Sequence, residues 1–163
     1  MKQLILTRGI PGSGKSFLAK QTKEKYEQDG HTCVIFSTDD YWYVDEDHPY
    51  EFDISKIGAA HKWNQKRTKQ ALANCVNVVI VDNTNTTWKE IKKYAEMGVT
   101  HGYEIEILEP NTAWAKNVDE CFQRNSHGVP KEVIQKMLDR LQDKAIIEFE
   151  IRQLVLNKKM ESC

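Results

Sequence analysis

Gly9-Ile10-Pro11-Gly12-Ser13-Gly14-Lys15-Ser16 decides the reading of this chain. It matches the pattern G-x-x-x-x-G-K-[ST] in full, and each position answers a chemical demand. Triphosphate oxygens need several backbone N–H donors converging on one concavity, so glycines supply the dihedrals and keep side chains away. Lys15 offers a compact cation to the β- and γ-phosphates, and Ser16 a hydroxyl to Mg²⁺. The helix starting there aims its positive dipole end at the phosphates. Four constrained positions recur by chance on the order of once in a few hundred chains of this size. Context removes that doubt: the apolar run 3–8 (QLILTR) precedes the loop, and Leu18, Ala19, Thr22 and Tyr26 follow at helical spacing. Strand, loop and helix in this order make Gly9, Pro11, Gly12, Ser13, Gly14, Lys15 and Ser16 a site for ATP or a related nucleoside triphosphate.

Outward from the loop, strands alternate with helices. Gly30 stands where a C′ glycine closes the helix 15–29. A strand at 32–37 opens into the acidic, aromatic segment 38–53, and Asp53 caps a helix over 54–75. The run 77–82 (NVVIVD) is apolar on both faces, as a parallel strand covered by helices requires. Thr87-x-x-Glu90 reads as a capping box for a helix to about Met97. A strand at 102–108, a polar helix near 113–126 and an amphipathic helix at 131–143 follow. Residues 145–157 (AIIEFEIRQLVLN) fit a last strand or a helix, with the strand preferred. The pattern predicts one α/β domain over residues 1–163, a parallel sheet with helices on both faces.

Composition sets bounds. The chain has 163 residues, 40% apolar and 29% charged, as ordinary folded domains do. A net charge of −1 provides no global basic field to recruit long nucleic acids, though a local groove remains open. Cys33, Cys75, Cys121 and Cys163 are widely spaced and form no zinc-like cluster. No window approaches 18 apolar residues and no signal-peptide layout is present, so the expected setting is intracellular and reducing, cytoplasmic or nuclear. No membrane partner is expected.

In open α/β sheets, ligands sit beyond the carboxyl ends of the strands. Asp39 and Asp40 follow one strand there and Asp82 closes another. Phosphoryl transfer asks for one carboxylate to orient or deprotonate the acceptor and another to organise Mg²⁺. Asp39 is assigned to the first task and Asp82 to the second. Asn83-Thr84-Asn85 places short hydrogen-bonding side chains just past that strand.

The segments ILTRGIPGSGKS, STDDYW, VDNTNT and RNSHGVP resemble the polynucleotide-kinase group of P-loop kinases. They are closer still to kinase-like domains related to the Nedd-four-binding protein two family, in which DNTNT, an AHKWNQKR-like helix start, an EP-x-T turn and RN-x-HGV recur in this order. The resemblance covers roughly residues 3–141. It implies a sheet of order 2-3-1-4-5, a mobile lid at about 112–130, and transfer of a γ-phosphate to a 5′-hydroxyl. Asp39 matches the general base of that group and Arg124 its lid arginine, which reaches over the triphosphate. Where the phage enzymes carry an arginine, this chain has Trp42, a surface on which a base could stack.

The acceptor side draws on Trp42, His61, Arg67 and Asn85. Aromatics interleaved with basic groups suit a short single strand, while Trp63, Lys66 and Lys69 read equally well as packing and a solvated helix face. Acceptors other than RNA or DNA, and nucleotide binding without transfer, stay open on these residues alone.

Overall fold

A computed structural model describes residues 1–43 and 50–162. Four strands, β1 (Gln3–Thr7), β2 (Cys33–Phe36), β3 (Val78–Val81) and β4 (Glu104–Leu108), form one parallel sheet of order β2-β3-β1-β4. The register pairs Ile5 with Ile80 on one side and with Glu106 on the other. β1 and β3 are central and apolar almost throughout, because both faces are covered.

Leu4, Leu6, Val79 and Val81 point to one face, where they meet Ala71 and Leu72 of α2 (Ile57–Ala73) and Ile91, Tyr94 and Ala95 of α3 (Trp88–Thr100). Ile5, Val78 and Ile80 point to the other, against Ala19 of α1 (Lys15–Gln28). Strand alternation thus sends successive residues of one strand into two different cores. The C′ position of α1 is Gly30, with φ +84°, as its placement in the sequence requires. Asp53 accepts from Ser55 N at 2.9 Å and caps a short 3₁₀ turn (Ile54–Lys56) that feeds α2.

Three expectations change. Residues 145–157 belong to a helix, α6 (Lys144–Glu161), and among the described residues the sheet has four strands rather than five. The alternation in Ile147-Glu148-Phe149-Glu150-Ile151 imitates a strand. The four-residue spacing of Ile147 and Ile151, extended by Leu154 and Val155, is what packs against the sheet core, and Asp143 caps the helix by accepting from Ala145 N at 2.8 Å. Second, the polar helix near 113–126 shortens to α4 (Val118–Arg124), preceded by turns. Third, the capping box of α3 shifts: Thr87 makes no side-chain cap bond, and Glu90 instead accepts from Thr86 N at 2.6 Å. The amphipathic segment forms α5 (Lys131–Arg140).

Arg8, the last residue before the glycine-rich loop, is fully buried. Its Nε donates to Asn85 O at 2.8 Å, Nη1 to Glu109 Oε1 at 2.6 Å, and Nη2 to Thr86 O at 3.0 Å and Gln142 O at 2.6 Å. Burial lowers its pKa, opposed chiefly by Glu109. Removing one partner of a buried charge pair costs about 3–5 kcal/mol. Arg8→Met takes their donor from Glu109 and from the carbonyls of Asn85 and Gln142, while Thr86 O keeps Gln142 N, so a loss of that order is expected in urea unfolding, with m unchanged. Arg8→Lys should restore little, since an ammonium cannot reproduce the planar fork. Wild-type stability in either variant would show that the network contributes nothing net.

Candidate active site

The loop between β1 and α1 curls because Gly9, Gly12 and Gly14 take φ of +151°, +81° and +105°. A side chain at Gly9 would crowd the loop from within, its Cβ 2.7 Å from Ser13 Oγ. Ser13 Oγ is buried with no hydrogen-bond partner among the described residues. Lys15 is half-buried, and its one hydrogen bond among those residues is a long 3.4 Å to Ile10 O. Burial pushes the Lys15 ammonium below its ordinary value of 10.5, with Asp82 and then Asp39 pulling it back. An orphaned hydroxyl, an under-bonded ammonium and a helix N-terminus facing one hollow make an anion site.

Asp82 and its neighbours hold this cradle from the side. Ser16 Oγ donates to Asp82 Oδ2 at 2.7 Å, and Thr7 Oγ1 donates to Asp82 Oδ1 at 3.0 Å. Asn83 Oδ1 accepts from Thr38 N at 2.9 Å. Thr84 O accepts from Gly9 N at 3.0 Å. Asn85, at φ +46°, donates from Nδ2 to Thr7 O at 2.8 Å. Four successive residues therefore fasten the helix start, the β2 exit, the loop and the β1 exit.

Asp39 lies on a 3₁₀ turn (Thr38–Trp42) beyond β2. Ser37 Oγ accepts from Asp39 N at 3.3 Å, while Asp40 Oδ2 accepts from Ser37 N at 3.3 Å. Arg67 locks the turn from α2, donating to Ser37 O at 2.8 Å and Asp40 Oδ2 at 2.6 Å. Its guanidinium lies 4.6 Å from the Phe36 ring centroid and 4.0 Å from that of Trp63. Asp39 itself stays about half exposed, with Oδ2 3.6 Å from His127 Nε2.

Segment 112–130 sits directly on the loop. Thr112 Oγ1 donates to Ser13 O at 2.8 Å and Trp114 Nε1 to Gly12 O at 3.2 Å. Ile10 is buried with Cys121 and Ile134, flanked by Trp114, Val118 and Val129. A side chain at Gly12 would be driven into the Cys121 carbonyl. Arg124 is parked on the Trp114 ring, 3.7 Å from its centroid, and donates from Nε to Glu120 Oε1 at 3.0 Å.

The loop residues, Asp82 and Asp39 thus gather around Lys15. Three acceptor-side residues sit differently. Trp42 is 4% exposed, its ring taken up by Tyr41 and Phe52 at 5.1 Å each, which leaves no open stacking face. Asn85 is 2% exposed and bonded to backbone rather than facing the cradle. Arg67 is engaged with the 37–40 turn. His61 is exposed on α2. His127, within RN-x-HGV, reads from sequence as support for the lid hinge and stands beside Asp39; three residues with site contacts escaped the pattern: Thr7, Arg8 and Trp114. Only Arg8 left a signal, a charge closing an otherwise apolar strand.

The sequence profile of a family described as "AAA domain" matches residues 4–144. The chain belongs to this family. It is 44% identical over 139 residues to NEDD4-binding protein 2 from Homo sapiens, covering 85% of this chain and 8% of that protein. The chain therefore spans a small part of that relative. Among solved structures, the fold resembles a chain of the Pnkp1/Rnl/Hen1 RNA repair complex at a TM-score of 0.62 and 18% identity, over 91% of this chain and 46% of that one. It also resembles a gluconokinase from Sinorhizobium meliloti 1021, at a TM-score of 0.55 and 15% identity, over 99% and 98%. The architecture is that of a P-loop kinase-like domain, as the motif resemblance implies.

A triphosphate beside Lys15 favours the ammonium that burial disfavours. Nucleotide binding should therefore raise the lowered Lys15 value and draw a proton from solvent at alkaline pH. Calorimetry of MgATP binding in two buffers of different ionisation enthalpy should show net proton uptake that grows with pH and disappears in Lys15→Met. Proton release, or no buffer dependence, would mean that the empty cradle already holds Lys15 fully charged.

Proposed function

We propose that this domain transfers the γ-phosphate of ATP to the 5′-hydroxyl end of RNA or DNA. The observation that carries this reading is the division of labour between two carboxylates near Lys15. Asp82 is committed to Ser16 and Thr7, whereas Asp39, on a neighbouring strand end, remains half exposed. The first arrangement suits a metal, the second an incoming hydroxyl.

The residues present fit Mg²⁺. No group of three or more His, Cys, Asp or Glu able to hold an ion occurs among the described residues. Ser16 and Asp82 supply two oxygen donors, and nucleotide phosphates and waters complete such a site in enzymes of this type. When bound, Mg²⁺ neutralises charge on the β- and γ-phosphates. The backbone amides of the loop and Lys15 hold the triphosphate. Asp39 takes the acceptor proton as the acceptor oxygen bonds to γ-phosphorus and the bond to the β–γ bridging oxygen breaks, releasing ADP. Arg124 leaves Trp114 and Glu120 to close over the γ-phosphate.

For the acceptor, a line of aromatics flanks Asp39. Trp63 meets Tyr41 at 5.6 Å and Tyr41 meets Trp42 at 5.1 Å, and Trp63 and Tyr43 are exposed. Such surfaces suit the bases of a single strand. His61 and Arg67 lie on the same helix as Trp63. The RNA repair setting of one fold neighbour is in keeping with a polynucleotide acceptor. The free thiols Cys33, Cys75 and Cys121 suit a reducing compartment such as the cytoplasm.

The test incubates γ-labelled ATP and Mg²⁺ with matched 5′-hydroxyl RNA and DNA oligonucleotides. Label should appear at the 5′ end. Lys15→Ala and Asp39→Asn should each lower kcat by about 100-fold or more, roughly 2.7 kcal/mol. Arg124→Ala should reduce kcat more than ATP affinity. ATP binding without label on either polymer would overturn the acceptor assignment, and near-normal turnover in a folded Asp39→Asn variant would remove Asp39 from the base role.

A further inference from the structure

His127 lies in the short loop between α4 and α5, far in sequence from Asp39, yet its Nε2 is 3.6 Å from Asp39 Oδ2. The loop that delivers it is tightly tied. Asn125 Oδ1 accepts from Val129 N at 2.8 Å, and Asn125 Nδ2 donates to Phe122 O at 2.6 Å. Gly128 takes φ +65° to let the chain turn. Val129 packs on the cluster around Ile10 of the phosphate loop. On its other side the imidazole stacks on Tyr50, ring centroids 5.0 Å apart at 27°, and Tyr50 meets Tyr43 at 5.2 Å. Burial, and next the neighbouring Asp39 charge, push the Tyr50 phenol up to about 12, so it stays neutral beside that carboxylate.

We infer that His127 is a positioning residue for Asp39, orienting one carboxylate oxygen and leaving the other for the acceptor hydroxyl. This rests on the reading of Asp39 as the base. His127 is not itself the base: Nδ1 is buried without a partner among the described residues, and Nε2 already faces the carboxylate. A neutral imidazole that donates from Nε2 has only a lone pair at Nδ1, so one tautomer serves the contact. Because Val129 anchors the same loop to Ile10, the phosphate loop, the 112–130 segment and the acceptor carboxylate are linked through packed groups.

Two measurements test this. In the transfer assay with a 5′-hydroxyl RNA oligonucleotide, His127→Ala should lower kcat by about tenfold and leave the KM for ATP within about twofold. His127→Gln, which returns an N–H donor, should recover most of the loss; His127→Phe, which keeps only the stacking, should not. The double variant with Asp39→Asn should be no slower than Asp39→Asn alone. Additive losses, or full activity in His127→Phe, would overturn the inference while leaving Asp39 as base. Separately, and without any acceptor, imidazole ¹H–¹⁵N spectra of the full chain at pH 8 should show His127 protonated at Nε2. Its signals should move in Asp39→Asn and stay in Asp40→Asn. An Nδ1-protonated His127, or signals blind to Asp39→Asn, would reject the contact even if no oligonucleotide is ever labelled.

Discussion

The site depends on one buried guanidinium. Arg8 stands at the junction of β1 and the phosphate loop, where a strand ends and a backbone of unusual dihedrals begins. Its donors reach Asn85, Thr86, Glu109 and Gln142, which belong to the exits of β3 and β4 and to the junction of α5 with α6. The β3 exit and the α5–α6 junction also meet directly, Gln142 N donating to Thr86 O at 2.9 Å. The carbonyls of Asn85 and Gln142 depend on Arg8, and a buried carbonyl left unpaired costs roughly 1–3 kcal/mol. A planar fork with five N–H groups can satisfy several acceptors in one plane, which an ammonium cannot do. The charge is retained in the interior because Glu109, partly open to solvent, balances it.

From that junction the phosphate loop is shared by two neighbours. Below it, Asp82 and Thr84 bind Ser16 and Gly9. Above it, Ile10 enters the apolar cluster of Cys121 and Ile134, and the carbonyls of Gly12 and Ser13 accept from Trp114 and Thr112. The segment expected to be a mobile lid is therefore founded on the loop itself. Arg124, whose closing over the nucleotide is proposed above, is held by an exposed ion pair and a cation–π contact that together amount to about 1–2 kcal/mol. A multiply charged phosphate competes easily with that.

Much of the fold was legible because local rules and tertiary packing agree in it. β1 and β3 read as buried strands since parallel strands covered on both faces carry unbroken apolar runs, and Gly30 marked the end of α1 through its backbone requirement. The reading failed where one pattern serves two structures. Residues 147–151 alternate like a strand, but they also carry isoleucines four apart, and the open groove beside α3 selects the helix. Trp42, Arg67 and Asn85 failed for a different reason. Polar, aromatic and basic residues near a strand end look the same whether they face a ligand or hold the backbone around it: Arg67 grips the 37–40 turn, Trp42 packs against Phe52, and Asn85 ties the β1 exit. His127 reads from sequence only as support for the lid hinge, because its contact with Asp39 lies 88 positions away along the chain.

That buttressing has a chemical purpose. A carboxylate half exposed to water has several rotamers open to it, and a base must present one oxygen to the acceptor at hydrogen-bond distance. Backbone rigidity comes from Arg67 gripping Ser37 and Asp40, and from Asn83 holding Thr38. None of these touches the Asp39 carboxylate, so they fix its Cα and leave its side chain free. Tyr50 and His127 are the groups that meet the carboxylate itself. Asp40, one residue on, shows the contrast: its Oδ2 accepts from both Arg67 and Ser37, which ties that carboxylate to the turn. Adjacent aspartates of identical chemistry are thus set apart by what the surrounding elements bring to each: Asp40 is bound into the turn, and Asp39 stands half exposed near Lys15, as its proposed role asks.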